Sequence, residues 1–289
     1  MPEPVFYGGQ AVIEGVMMRG PEWMAIAVRK PDRNIALHVE RVDSVLRRYP
    51  VLRLPILRGV IALWETMKLG LTALLFSVNQ AAPEEEQLSK GELTITTAVG
   101  IVLALAVFVA LPTWLGSLLE RSLGSGWWVQ LLEGGMRLGI FLGYLKAISL
   151  VRDIQRVFQY HGAEHKVINC FEAGDELTVE NVRRHSREHK RCGTSFLLYV
   201  VVISILLFSL VNWPNLWLKI VGRLALLPLV AGISYELIRL AGRYDTPLVN
   251  ALSRPGLWLQ GFTTREPDDD QIEVAIASFQ AARGFGLPG

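Results

Sequence analysis

Leu93 to Leu119 reads LTITTAVGIVLALAVFVALPTWLGSLL, without one charged side chain. A helix of about 20 apolar residues crosses roughly 30 Å of hydrocarbon, so this stretch is expected to span a membrane. Trp127 and Trp128 follow a short SLGSG turn and suit a membrane interface, opening a second apolar segment from Trp127 to Leu150. Thr194 to Trp213, rich in Val, Ile and Leu, is a third, and after the turn NWPN the segment Leu216 to Leu240 is a fourth. The chain of 289 residues is 51% hydrophobic and only 19% charged, with a mean hydropathy of +0.32, which fits a membrane protein better than a soluble one. A net charge of +2, with no run of Lys and Arg interleaved with aromatics, argues against nucleic acid as a partner.

Two of the spans carry charges. Glu133 and Arg137 lie i, i+4, so they can neutralise each other on one helix face inside a bundle. The fourth span has Lys219 and Arg223 near its start and Glu236 and Arg239 near its end. Upstream, Leu46 to Ala82 is apolar but interrupted by Arg47, Arg48, Arg53, Arg58, Glu65 and Lys68, which suggests an interfacial or re-entrant helical hairpin rather than a span. Met1 to Ser44 alternates short apolar runs with Gly and Pro, and the PDRN turn between two Val-containing runs predicts a β-hairpin around Lys30 to Asn34. MPEPVFYGGQ has none of the parts of a signal peptide, so insertion is expected to use internal segments.

The expected architecture is thus a mainly α-helical integral membrane protein of about four transmembrane helices with a small β-containing cytoplasmic cap. Its parts are a β-rich element over 1–45, interfacial or re-entrant helices and an acidic linker over 46–92, and spans over 93–150 and 193–241. A polar loop over 151–192 and an amphipathic tail over 242–289 complete it. In that tail Pro267 and three aspartates announce a helix with Ile272, Ala275, Ile276 and Phe279 on its apolar face. Basic residues crowd the 151–192 loop and the region before Leu93, against Arg121 and Lys219 opposite. The positive-inside rule therefore places both termini and the loop on the cytoplasmic side of a bacterial inner membrane.

The 151–192 loop carries the chemistry, with four of the five histidines and both cysteines. His161-Gly-Ala-Glu164-His165 matches the inverted zincin pattern H-x-x-E-H. On a helix the two histidines share a face and can reach one ion, while Glu164 is placed to act as general base on a metal-bound water. His185, His189 and Cys192 recur at i, i+4, i+7, which predicts a second helix face of ligands. The expected metal set is therefore His161, His165, His189, Cys192 and His185, with Zn2+ preferred for mixed His and Cys donors and Fe2+ as the second choice. A headgroup-facing basic surface is the plainer reading of His185 and its neighbouring arginines. Cys170 reads as a small core residue, and Glu172, Asp175 and Glu176 read as a turn before a Thr178 helix cap rather than as ligands.

GGQAVIEGVMMRGP, YHGAEHKVINCFEAGDELTVENV, HKRCGTSFLL, and PGLWLQ with TTREPDDDQIEVAIASF closely resemble, in this order, the bacterial YqhQ family of multipass membrane proteins. Members of that family are described as predicted metal-dependent enzymes with substrate and reaction unassigned. The resemblance places its HGAEHK block on His161, Glu164 and His165 and its H-x-x-C-G block on His189 and Cys192. Two functions remain open. One is a metal-dependent hydrolase acting at the membrane surface on a lipid headgroup or a membrane-protein segment, with Glu164 as its base. The other is a non-catalytic scaffold or channel-like homo-oligomer whose His and Cys cluster is structural; a transporter is a weaker third. Membrane lipids, a second copy of the chain and another membrane protein are the candidate partners.

Overall fold

The computed structural model describes residues 7–82, 89–124, 127–211, 213, 215–244 and 246–284. Most of the expected acidic linker (83–88), residues 125–126 of the SLGSG turn, Asn212 and Pro214 of the NWPN turn and the side chain of Trp127 lie outside this description.

The N-terminal strands form one antiparallel meander in chain order: β1 (Gly8–Val12), β2 (Gly15–Arg19), β3 (Trp23–Arg29) and β4 (Ile35–Arg41). The expected hairpin joins β3 to β4, where Asp32 accepts a 3.0 Å bond from the Asn34 backbone N–H. Both faces of the sheet are covered, which explains why WMAIAVR is apolar on alternate and intervening positions alike. Val16, Met18, Ala25 and Ala27 pack on α6 (Arg152–Ala173) and α11 (Asp269–Ala282), while Met17, Met24, Ile26 and Val28 face α2 (Leu57–Ala81). Ser278 of α11 donates to the Ala25 carbonyl, and Asp268 and Gln271 close a capping box at the start of α11.

Residues 46–82 differ from a helical hairpin. After the short α1 (Val45–Arg48) and a 3-10 turn at Pro50–Arg53, the chain makes one 25-residue helix, α2. Alone it is long and apolar enough to cross a membrane. Its later turns, however, are tied to the sheet. Glu65 accepts from Ser44, the Val45 N–H and Arg19, Gly70 abuts Gln10, and Ala73 and Phe76 join the sheet's core. Its first turns reach the bundle, where Gly59 meets Gly232 and Arg58 pairs with Glu236.

The bundle consists of α3 (Lys90–Leu105), α4 (Leu111–Leu123), α5 (Trp127–Ile148), α8 (Gly193–Ser209) and α9 (Leu216–Arg243). A π turn at Ala106–Ala110 links α3 to α4 immediately before Pro112, whose ring and missing N–H disturb the regular helix there. Lys90–Ser122 and α9 are each long and apolar enough to span, α8 is a shorter apolar helix, and α5 passes with α6 as a pair bent by 96°. These several long apolar helices make the chain a multi-pass membrane protein. The bend at Ser149–Val151 turns α6 out of the bundle toward the sheet, and α10 (Pro247–Thr263) returns the chain along α8 to the same region.

Candidate metal centre

Helix α6 sets the geometry. His161 and His165 sit one turn apart with ring centroids 4.4 Å from each other. The Nδ1 of His161 lies 2.8 Å from the Thr263 carbonyl oxygen and the Nδ1 of His165 lies 2.6 Å from the Arg187 carbonyl oxygen. A carbonyl oxygen can only accept, so each Nδ1 carries a proton, and it is Nε2 that holds the lone pair of the neutral ring. His161 Nε2 is 3.2 Å from Cys192 Sγ, and the donor atoms of His161, His165 and Cys192 all lie within 4.8 Å of one another. Three lone-pair donors converge on one spot with a single thiol proton among them. Backbone carbonyls fixing the far side of each imidazole are the usual support of a metal-ligating histidine, so these residues fit an ion.

Local packing explains the placement. A Cβ on Gly162 would overlap the Arg265 carbonyl oxygen, so only glycine admits the segment after α10 against α6. That close approach, fixed by a 2.8 Å bond from the Arg265 N–H to the Phe158 carbonyl, brings Thr263 to His161. Cys192 occupies the N-cap of α8, its sulfur facing the Thr194 N–H at 3.4 Å.

The second ligand helix does not exist. Thr178 caps the start of α7 (Val179–Arg184), as expected, but the helix stops before His185, and residues 185–192 are irregular. Side chains elsewhere take the carbonyls that a helix would use. Lys166 donates to Arg183 and His185, Asn169 to Ser186 and Glu188, and Gln260 both accepts from the His189 N–H and donates to the His189 carbonyl. His185 consequently faces Asp175 at 2.9 Å, in a separate group with the buried Cys170. His189 stands beside the site, its ring 5.7 Å from that of His165, but its Nε2 points to Glu172 at 3.4 Å. Burial works against ionisation of Glu172, yet hydrogen bonds from His189 and Arg191 prevail and hold its carboxyl at about 2. Glu172 thus anchors the 189–191 segment.

Glu164 points under β1, where a Cβ on Gly9 would come within 2.9 Å of its carboxyl carbon. Burial pushes its acid up to about 7, against the neighbouring His161 and the Gly9 N–H, and its Oε2 has no hydrogen-bond partner among the described residues. Burial also lowers the His165 imidazole from its ordinary value, opposed chiefly by Cys192. Glu14, at the β1–β2 turn with φ 52°, pairs with Arg156 and lies 3.3 Å from the Tyr160 hydroxyl, while Arg19 pairs with Glu65 instead. The glycine-rich start of the chain therefore does reach the central polar stretch. Gln260 and the carbonyls of Arg187 and Thr263 carry no ligand-type signal in sequence, and only the fold reveals their part.

A bundle of apolar helices carrying a β-containing cap with a His2Cys group, His165 and Cys192 buried and His161 half-buried, defines the class: a multi-pass helical membrane protein with a candidate metal centre in its cap. The chain belongs to the family described as "Protein of unknown function (DUF1385)", which matches residues 54–284. It is 38% identical over 291 residues to the "Uncharacterized protein YqhQ" of Bacillus subtilis (strain 168), an alignment covering 96% of this chain and 92% of that one. No solved structure matches it.

Proposed function

We propose that the protein is a metal-dependent enzyme, of the zinc type, that performs hydrolysis at the cytoplasmic surface of a bacterial inner membrane. The observation that carries this reading is the convergence of His161 Nε2, the free nitrogen of His165 and Cys192 Sγ, with both Nδ1 atoms held by carbonyls. Three protein ligands are the usual complement of a catalytic zinc site, mixed His and Cys donors suit zinc, and Fe2+ is the alternative. A bound ion there would polarise a substrate oxygen and acidify a water. Glu164, buried with one oxygen unpartnered, is the group to take up the proton. A cleft of about 440 Å³ beside His189, lined also by Asn169, Glu172, Arg191, Arg243 and Tyr244, offers room for a polar headgroup at the end of α9. The crowding of Lys and Arg in the 151–192 segment, against Arg121 and Lys219 at the opposite end of the spans, supports the cytoplasmic placement.

The burial of the donors favours a second reading, a structural ion or hydrogen-bonded staple in a scaffold: His165 is 1% and Cys192 5% exposed. Elemental analysis of the detergent-purified chain beside the His161→Ala/His165→Ala variant tests the metal. About one zinc or iron per chain, lost in the variant, is expected; no metal in either form sinks both the enzyme and the ion-stapled scaffold. Glu164→Gln then separates the two functions. Loss of function with fold and metal retained supports the enzyme, and an unchanged phenotype supports the scaffold.

A further inference from the structure

The cleft beside His189, about 440 Å³ and so within the size of small-molecule sites, carries charges of both signs. Some are satisfied within the protein. Glu172 accepts from Arg191 and His189, and Gly242 leaves the space in which the Arg191 side chain crosses the end of α9, since a Cβ there would overlap it. Lys190 donates to Asn250 of α10 at 3.0 Å. Two further charges line the cleft, Glu188 and Arg243, both exposed. Glu188 makes its hydrogen bonds through its backbone, with Asn169 and Ser186, and its carboxylate has no partner among the described residues. Arg243 lies 6.0 Å from the ring of Tyr244 and pairs with no carboxylate among those residues. One anion and one cation are therefore left facing the same space.

The surroundings favour a lipid. Arg243 ends α9, a helix long and apolar enough to span, and Leu240 and Tyr244, four residues apart at that end, are both exposed. An apolar side chain followed by an aromatic one suits the edge of a bilayer. Leu257 of α10 lines the cleft, while Leu248 and Leu252, about half a turn around that helix, are exposed as well. A zwitterionic headgroup matches the two unpaired charges, with its phosphate for Arg243 and its ammonium for Glu188. The kind of ammonium follows from the lining. Quaternary ammonium is held by cages of aromatic rings, but among the described residues Tyr244 is the one Phe, Tyr or Trp in the cleft. A primary ammonium carries three N–H donors, which a carboxylate accepts. We propose that this cleft binds the phosphoethanolamine group of a phospholipid, with the phosphate on Arg243 and the ammonium on Glu188. This deepens the function proposed above and rests on its placement of the cap at the membrane surface; His189, 5.7 Å from His165 between ring centroids, stands between the headgroup and the metal centre.

The test is native mass spectrometry of the full-length, detergent-purified chain mixed with equimolar dioleoyl phosphatidylethanolamine, phosphatidylcholine and phosphatidylglycerol. An ethanolamine-lipid adduct exceeding each of the others by about three- to tenfold is expected. Glu188→Gln should lower that adduct to the level of the choline lipid, whereas Arg243→Gln should weaken all three. Both side chains are exposed, so both variants should keep the fold. Equal adducts of the three lipids in the parent chain overturn the proposal, and so does a preference that survives Glu188→Gln. Glycerophosphoethanolamine, which lacks the acyl chains, should compete at least tenfold more weakly than the lipid; equal competition overturns a lipid as the source. Elemental analysis of the same sample reads the metal separately. The preference without metal supports this site and sinks the enzyme, and full metal with equal adducts sinks this site alone.

Discussion

The Nδ1 of His161 on α6 faces the carbonyl oxygen of Thr263 at the end of α10, 2.8 Å away. That contact makes the C-terminal segment part of the centre although it supplies no ligand. It fixes the tautomer of His161 and so directs Nε2 toward Cys192, as the Arg187 carbonyl does for His165.

Gly162→Ala tests this dependence. The new methyl group would overlap the Arg265 carbonyl, so the 263–267 segment must move away from α6. A loss of about 1–3 kcal/mol in stability is expected from the overpacking. Metal affinity should fall by about 10–100-fold as the support of His161 is displaced. Competition with a chromogenic chelator measures the second effect. An affinity equal to that of the parent chain would show that the carbonyl does not orient the histidine.

Cys192→Ser should act on the metal more than on the fold. The hydroxyl keeps the N-cap of α8, since serine is a preferred capping residue, but it replaces a soft thiolate donor by a poor one. The helix content by circular dichroism should be unchanged while metal per chain falls well below that of the parent. Full metal retention would remove the sulfur from the ligand set.

How far the sequence carries can be seen in two pairs of residues. His161 and His165 lie on one helix, so a period of 3.6 residues is enough to place them together, and H-x-x-E-H foretells the pair that Cys192 joins. His185 and Cys192 have the same helical spacing, but Lys166, Asn169 and Gln260 take the backbone groups between them, and no local pattern announces that competition. The bundle shows the same division. The apolar spans and the Glu133–Arg137 pair follow from composition and spacing, whereas the partnership of Glu133 with Arg223 depends on how α5 meets α9. In the cap, the β3–β4 hairpin and the α11 start were legible from turn and cap residues, while the tie of α2 to the sheet through Glu65 was not.

His185→Ala is the substitution for which the sequence spacing and the structure disagree most sharply. The imidazole pairs with the half-exposed Asp175 and lies outside the His161, His165 and Cys192 group. Metal content should therefore match that of the parent chain, with a stability change of about 0–1 kcal/mol for loss of a partly exposed pair. Loss of the metal would reinstate His185 as a ligand and require the 185–192 segment to rearrange on binding.

Gln260→Ala probes how the segment carrying Cys192 is held. Gln260 is fully buried, accepts from the His189 N–H at 2.9 Å, and donates to the His189 carbonyl at 2.8 Å and the Ser195 hydroxyl at 3.2 Å. Alanine leaves the His189 N–H buried without its partner and the His189 carbonyl with only the 3.3 Å bond from the Cys192 N–H, and it removes the bond to the Ser195 hydroxyl, which together cost about 2–4 kcal/mol. For a chain of this size the unfolding midpoint should drop by roughly 5–15 °C. Because the same contacts hold His189 three residues from Cys192, the stabilisation gained on adding metal should shrink too. Melting curves with and without a chelator read both quantities. A lower midpoint with the full metal increment would mean that Gln260 supports the cap without positioning Cys192, and an unchanged midpoint would show that the grip on His189 contributes nothing.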